Sequence, residues 1–534
     1  MSRVTRSATV GRSEGPSAAL VLGVCALVLA PTIAYRVGVD QGVFAYMGAQ
    51  LLRGDWPYIH SWEADFPGLM FLQAAEIFLF GKSIWMFRLF DVLFQLVTAW
   101  FVFRIADRLS GRVGAMVAAI LYCLIYQDYG PWNTAQREGF GLPFVLAGFW
   151  MYLTADRRSP WVTAAIIGLG MGFAITIKPT ILALALFYLP LATELRSRRA
   201  VAVALVAGAC LAAPSVAFVV LYWTLGGLTQ MYESLVSYQP IYTARLRGTE
   251  PLLTYWLQKL GNLGRNAVVL PIVYAPFLFQ GTFRRERLMV WLGFVGSVYS
   301  VFVQGTFAGY HYLPGMALGA ILVGDLFSTV SRWALKRFHT LVPVDAVLAQ
   351  RIMATLMLVV AAVFYMREAP LKDFVTGHFL NPPRANEFRS NTVFDYTESY
   401  DLAAYLRART QPNEPVQVWG YESLVYYLAD RSAASRFQMT HPLVMRVPGE
   451  ALTPMQLRWR EEFVGDIERR QPLYVAVVQH DNWWWSPEEQ TSQELLDDFP
   501  EWKHVIERDY ALETTIGRFL VYRRITHTPS RSGS

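Results

Sequence analysis

The chain has 534 residues, of which 54% are hydrophobic, 14% aromatic and only 16% charged, against a usual charged share of about 25%. That composition excludes intrinsic disorder, a coiled coil and collagen, and three cysteines exclude a disulfide scaffold. The net charge of +6 does not point to nucleic acid, because Arg and Lys punctuate the apolar runs, as topology signals do in a membrane protein.

A spanning helix needs about 20 apolar residues. Eleven segments qualify: 18–36, 85–104, 113–129, 139–155, 161–177, 180–194, 200–224, 266–282, 288–304, 313–331 and 350–366. The first follows Arg3, Arg6 and Arg12, as in a signal peptide, but runs on through Pro31 to Tyr35 with no small-residue cleavage site, so a retained first span is expected. A further stretch, 66–80, opens with Phe66-Pro67-Gly68 and carries Gln73 and Glu76, which suits an interfacial or re-entrant helix. Omitting it puts the basic clusters on one side: Arg104, Arg108 and Arg112; Arg157 and Arg158; Arg196, Arg198 and Arg199; Arg284, Arg285 and Arg287; Arg332, Lys336 and Arg337. By the positive-inside rule that side is cytoplasmic, and the C-terminus lies outside. Two long loops, 37–84 and 225–265, then face out.

From about residue 367 the composition turns polar. Pro370, Pro382 and Pro383 mark a linker over 367–396, after a membrane domain of 1–366 and before a soluble domain of 397–534. In that last part a helix is expected over 397–409, a strand over 416–419, a helix over 423–429, a strand over 474–478, a helix over 493–499 and a strand over 518–522, which is an α/β pattern. It carries no G-x-G-x-x-G, Walker or C-x-x-C motif to announce a cofactor. Trp483, Trp484 and Trp485 suit a sugar platform, an interface anchor or a packed core.

The candidate chemistry lies at the outer ends of the spans. Asp40 follows the first span and is succeeded by the acidic residues Glu63, Asp65 and Glu76; a solvated acidic loop explains them equally well. Arg137 and Glu138 precede the fourth span, where they form an ion pair holding the loop or present a carboxylate toward Asp40. Lys178 ends the fifth span, on the face opposite the basic clusters; a snorkelling anchor and a phosphate-binding point charge are the two readings. His311 and Tyr312, before the tenth span, are interface aromatics or donors to a phosphate. Arg88 and Asp91 are three apart and are expected to pair. There is no H-E-x-x-H or Cys/His cluster, which speaks against zinc chemistry, and a divalent ion between Asp40 and Glu138 stays open.

Taken together, Asp40-Gln41-Gly42 with Ala45-Tyr46, Gly54-Asp55-Trp56-Pro57-Tyr58, Phe66-Pro67-Gly68, Phe80-Gly81, Arg88-Leu89, Ala135-Gln136-Arg137-Glu138, Lys178-Pro179 and His311-Tyr312-Leu313-Pro314 resemble the membrane-embedded GT-C glycosyltransferases. The nearest branch is bacterial and includes the lipid A aminoarabinose transferases, the rhizobial galacturonosyltransferases and relatives of the protein O-mannosyltransferases. The resemblance implies a polytopic helical membrane domain with a C-terminal soluble domain on the periplasmic side of a bacterial inner membrane. It implies an inverting transfer of sugar from a polyprenyl-phosphate carrier to a glycan, glycolipid or protein acceptor in envelope assembly, such as lipopolysaccharide. It maps the family's catalytic acidic positions to Asp40 and Glu138, and the cation near the carrier phosphate to Lys178. Many relatives carry a Lys just before the Pro of Phe66-Pro67; here Asp65-Phe66 stands there, so Arg137 and Lys178 become the donor-phosphate candidates. The rival class is a transporter or flippase, against which stand the clustering of charge at one face and the absence of a visible broken-helix repeat.

Overall fold

The computed structural model describes residues 16–155, 158–248, 250–261, 263, 265–279, 284–338, 345–367, 396–481 and 489–525. Arg3, Arg6, Arg12 and Arg157, nearly all of the 367–396 linker and the three tryptophans at 483–485 lie outside the described residues.

The chain enters through α1 (Ala18–Leu29), whose first turn is capped by the Ser17 hydroxyl accepting from the Leu20 amide. Pro31 tightens the next residues into a 3-10 turn over Ala30–Ala34, and the path then bends by 88° into α2 (Val39–Leu51). Helix α3 (Gly68–Phe80) is the expected 66–80 helix. Its 13 residues reach about 20 Å at 1.5 Å per residue, short of a bilayer core of about 30 Å. It starts hard against the end of α8 (Pro160–Ile177): a Cβ at Gly68 would meet Thr176 Oγ1 at 2.5 Å, so only glycine permits that crossing.

The remaining helices of the bundle are α4 (Ile84–Ser110), α5 (Arg112–Asp128), the short α6 (Gly130–Asn133), α7 (Arg137–Leu153), α9 (Arg198–Thr224), α10 (Leu228–Tyr232), α11 (Gln239–Arg247), α12 (Leu252–Gly261), α13 (Arg265–Tyr274), α14 (Arg284–Gln304), α15 (Leu313–Phe338) and α16 (Ala346–Arg367). Each of the eleven segments expected to span is helical over most of its length. Among the described residues, six helices suit a membrane crossing by length and composition, and the bent α1–α2 pair makes a seventh if it counts as one span. The segment expected at 180–194 winds as a 3-10 helix over Pro179–Glu194. At about 2 Å per residue its 16 residues reach about 32 Å, farther than an α-helix of that length.

The C-terminal part comprises α17 (Thr397–Arg409), β1 (Gln417–Trp419), α18 (Ser423–Ala429), α19 (His441–Val444), α20 (Pro454–Arg470), β2 (Tyr474–Val478), α21 (Pro500–Asp509), β3 (Tyr510–Ile516) and β4 (Phe519–Arg524). The sheet order is β1-β2-β4-β3; β1 and β2 are parallel with Val418 opposite Ala476, and β4 is antiparallel to β2 and β3. The expected helix at 493–499 shrinks to one 3-10 turn, Glu494–Leu496, because the helical run begins only where Pro500 opens α21. Helix α20 was not foreseen, although Thr453 and Gln456 form a capping box at its start.

The C-terminal domain is packed on the first loop and α2, sharing one hydrophobic core with them. A Cβ at Gly42 would meet Leu424 Cβ at 2.7 Å. The Ala433 amide donates to Tyr46 Oη at 2.9 Å, Gln50 donates to Ser432 at 2.7 Å, and the backbone amide of Trp62 donates to Gln438 at 3.0 Å. Arg53 and Lys82 both reach Asp430.

Candidate active site beneath the C-terminal domain

Two buried polar side chains fix the ground on which the site stands. Arg88 is fully buried and donates from Nη1 to Thr134 Oγ1 (3.0 Å), from Nε to the Tyr35 carbonyl (3.3 Å), and from Nη2 to the Pro131 carbonyl (3.0 Å) and to the Arg36 carbonyl. Gln41 accepts from the Gly38 amide at 2.8 Å and donates to the carbonyls of Pro131, Trp132 and Thr134 at 2.9, 3.1 and 2.9 Å. Together they lock the start of α2 to the turn before α7, and so fix where Asp40 and Glu138 emerge. Arg88 and Asp91 do not form the expected ion pair. Asp91 instead accepts from Tyr126 Oη (2.6 Å) and Gln95 (2.9 Å), and Tyr126 in turn receives the Ala135 amide at 2.8 Å, at a residue with φ +55°. Carbonyls that a broken helix leaves open take the guanidinium, and a tyrosine takes the carboxylate.

Arg137 and Glu138 open α7. Neighbours on a helix point about 100° apart, so they serve different partners and not each other. Arg137 pairs with Asp65. Glu138, 2% exposed, faces Lys178 Nζ at 3.6 Å and His311 Nε2 at 3.9 Å, and neither of its oxygens has a hydrogen-bond partner among the described residues. Lys178 caps α8 in an extended conformation (φ −146°, ψ 103°), as the residue before Pro179 must. Its side chain turns inward and is 8% exposed, which is not the posture of a snorkelling anchor. The imidazole of His311 packs edge-on against Tyr310, with centroids 4.6 Å apart, and its Nδ1 lies 3.4 Å from Thr306 Oγ1. Tyr312 takes a different direction: it lines an apolar cavity of about 280 Å³ with Leu121, Phe294, Met316 and Tyr365, so the structure separates it from His311.

Asp40 stands in the first turn of α2, within the electrostatic reach of Arg137, Lys178 and Glu138. Its Oδ1 accepts from Tyr421 Oη of the C-terminal domain at 3.1 Å, and its Oδ2 accepts no hydrogen bond from the described residues. Glu63, in the loop after α2, is buried beside the same charges. Burial pushes its carboxyl up to about 7, opposed in part by Arg137 and by the Ala64 amide that donates to it. Asp40, Glu63, Asp65, Glu138, Arg137, Lys178 and His311 are thus drawn from five separate stretches of chain to one end of the bundle. Among the described residues no three His, Cys, Asp or Glu side chains converge as metal ligands. Sequence reasoning missed Tyr421, which donates to Asp40, and Tyr242, which with Tyr310 lies within electrostatic reach of Asp40 and Arg137.

Residues 64–223 match the family described as Dolichyl-phosphate-mannose-protein mannosyltransferase, a stretch that holds Asp65, Arg88, Arg137, Glu138 and Lys178. No curated protein matches the chain in sequence. Among solved structures, ArnT from Cupriavidus metallidurans bound to undecaprenyl phosphate is similar with a TM-score of 0.56 at 15% identity, covering 95% of this chain and 97% of that one. The same enzyme in the apo state gives 0.54 at 14% identity, over 95% and 97%. The Archaeoglobus fulgidus oligosaccharyltransferase in the apo form gives 0.50 at 12%, over 86% of this chain and 69% of that one. The fold is that of the GT-C membrane glycosyltransferases, and the likeness to ArnT takes in the C-terminal domain.

Proposed function

We propose that this protein transfers a sugar from a polyprenyl-phosphate carrier to the hydroxyl of an envelope glycan, glycolipid or protein, with inversion at the sugar. The observation that carries the reading is the convergence of Asp40, Glu138, Lys178 and Arg137 at one end of an apolar bundle, beneath the C-terminal domain. ArnT, whose fold this chain shares, has been solved with undecaprenyl phosphate, and a carrier of that kind suits a bundle whose charges lie at its end. In this reading the C-terminal domain and both long loops face the periplasm of a bacterial inner membrane, eleven segments cross it, and α3 lies along its outer surface. A transporter would place such charges along a path through the midplane.

The chemistry follows from the residues. Oδ2 of Asp40 accepts the proton of the acceptor hydroxyl. The acceptor oxygen bonds to the anomeric carbon while the bond from that carbon to the phosphate oxygen breaks, and the electron pair leaves on the polyprenyl phosphate. A positioned base contributes about 10²–10⁴-fold to such a step. Lys178 and Arg137 neutralise the departing phosphate, the electrostatic share of the catalysis. Glu138, with His311 behind it, holds Lys178 in the pocket until the phosphate competes for it. The test is mass spectrometry of envelope glycans from a deletion strain carrying either the wild-type gene or Asp40→Asn. The substitution keeps the shape and removes proton acceptance, so transfer is expected to fall at least about 10²-fold at unchanged protein level. Glycans restored in full by Asp40→Asn would overturn the reading.

A further inference from the structure

The residue that touches Asp40 belongs to the other domain. Tyr421 follows β1 immediately, separated from it by Gly420, and its hydroxyl donates to Asp40 Oδ1 at 3.1 Å across 381 residues of sequence. The loop that carries it is held on both sides. The Gly420 carbonyl accepts from the Thr440 amide at 3.2 Å, and Glu422 accepts from Ser399 (2.9 Å) and pairs with Arg518 (2.5 Å). The ring packs edge-on against His441 at 5.5 Å, and His441 packs against Trp62 of the first loop at 5.0 Å. His441 adds no charge there, since burial pushes its imidazole down to about 3. Two residues beyond Asp40, Gly42 admits Leu424 to α2.

Resting on the reading of Asp40 as the base, we propose that Tyr421 is a positioning residue for the transfer reaction, so that the C-terminal domain is a working part of the active site and not an appendage. By occupying Oδ1 it sets the rotamer of the carboxylate and leaves Oδ2 as the oxygen that meets the acceptor hydroxyl. The cations of the site, Arg137 and Lys178, act on the phosphate and do not hydrogen-bond Asp40. No other side chain among the described residues donates a hydrogen bond to Asp40, so rotation of the carboxylate is checked by this contact.

The experiment uses the full-length protein in native membranes. The donor is the extracted polyprenyl-phosphate-sugar fraction of a deletion strain, and the acceptor is the envelope glycan fraction of that strain. Tyr421→Phe keeps the ring and removes the donor, and a rate loss of about 10-fold at saturating donor is expected. The half-saturating donor concentration and the binding of added undecaprenyl phosphate are expected to stay within about twofold. In an Asp40→Asn background, Tyr421→Phe is expected to change the residual rate by less than about twofold, because the two act as one unit. A wild-type rate in Tyr421→Phe beside a crippled Asp40→Asn overturns the positioning role and leaves the proposed function standing. Wild-type rates in both overturn both. A Tyr421→Phe loss that multiplies with that of Asp40→Asn, or that travels with weaker undecaprenyl phosphate binding, overturns the positioning role and makes the contact a structural one.

Discussion

Two of the clusters of buried charge in this bundle are built differently. Toward the other end, Arg287 of α14 meets Asp325 of α15 in a two-pronged contact, Nε to Oδ2 at 2.7 Å and Nη2 to Oδ1 at 3.0 Å, and Tyr274 of α13 donates to the same carboxylate. At the C-terminal-domain end, Glu138 lies 3.6 Å from Lys178 and 3.9 Å from His311, with both oxygens lacking hydrogen bonds from the described residues. The first cluster is closed: every strong acceptor position is taken by a fixed donor, as a structural ion pair in an apolar setting requires. The second is open, with Lys178 held near a carboxylate by charge alone and able to turn to a new anion. Buried charge therefore marks neither stability nor function until its hydrogen bonds are counted. Arg287, a topology signal by its place in a basic cluster, is in the structure the cross-brace of three helices.

The largest effect expected from breaking this contrast is on the closed pair. Arg287→Leu alone leaves Asp325 uncompensated and should cost about 3–5 kcal/mol of stability, read as lost folded yield in detergent. Adding Asp325→Leu should recover most of that yield, with transfer per folded molecule unchanged. A double variant as unstable as the single one would show the pair to be more than a brace.

Next is Lys178. Lys178→Ala should weaken undecaprenyl phosphate binding by about 10-fold, which corresponds to about 1.4 kcal/mol, and Lys178→Arg should weaken it less. Thermal stability should shift far less than in Arg287→Leu, because no hydrogen bond is lost. Unaltered binding in Lys178→Ala would return the residue to the role of an anchor at the helix end.

The smallest effect is a pH dependence. Burial raises the Glu63 carboxyl from 4.5 to about 7 in the folded protein. Between those values the folded state holds a proton that the unfolded state releases, so this residue's contribution to stability falls as pH rises through the window and the penalty is complete above about 7. Glu63→Gln should remove that fall, so its Tm advantage over wild type should grow from pH 4.5 to pH 8. Parallel Tm curves for the two proteins would place Glu63 in water.

Much of the helical framework was legible from the chain alone. Runs of apolar residues, the basic clusters between them and the turn from apolar to polar near residue 367 are local signals, and helices form where they say. The strands at 417–419 and 474–478 and the helices at 397–409 and 423–429 also stand where alternation and breakers put them. Helix α20, which opens on Pro454, and β3, which is buried mostly at its first residue, Tyr510, were not foreseen.

The sequence by itself determined which residues had to be explained. Asp40, Glu138 and Lys178 stand at the edges of apolar segments, where a charge is costly and its position along the chain is enough to single it out. Which of them meet was decided only by the tertiary structure. Arg137 goes to Asp65 and not to Glu138, Arg88 to backbone carbonyls and not to Asp91, and Asp40 to a tyrosine 381 residues away. Helix and strand propensity, capping and hydropathy act over a few neighbouring residues. A side chain's partner depends on where helices cross and how closely glycines such as Gly42 and Gly68 let them approach, and that is a property of the packed whole.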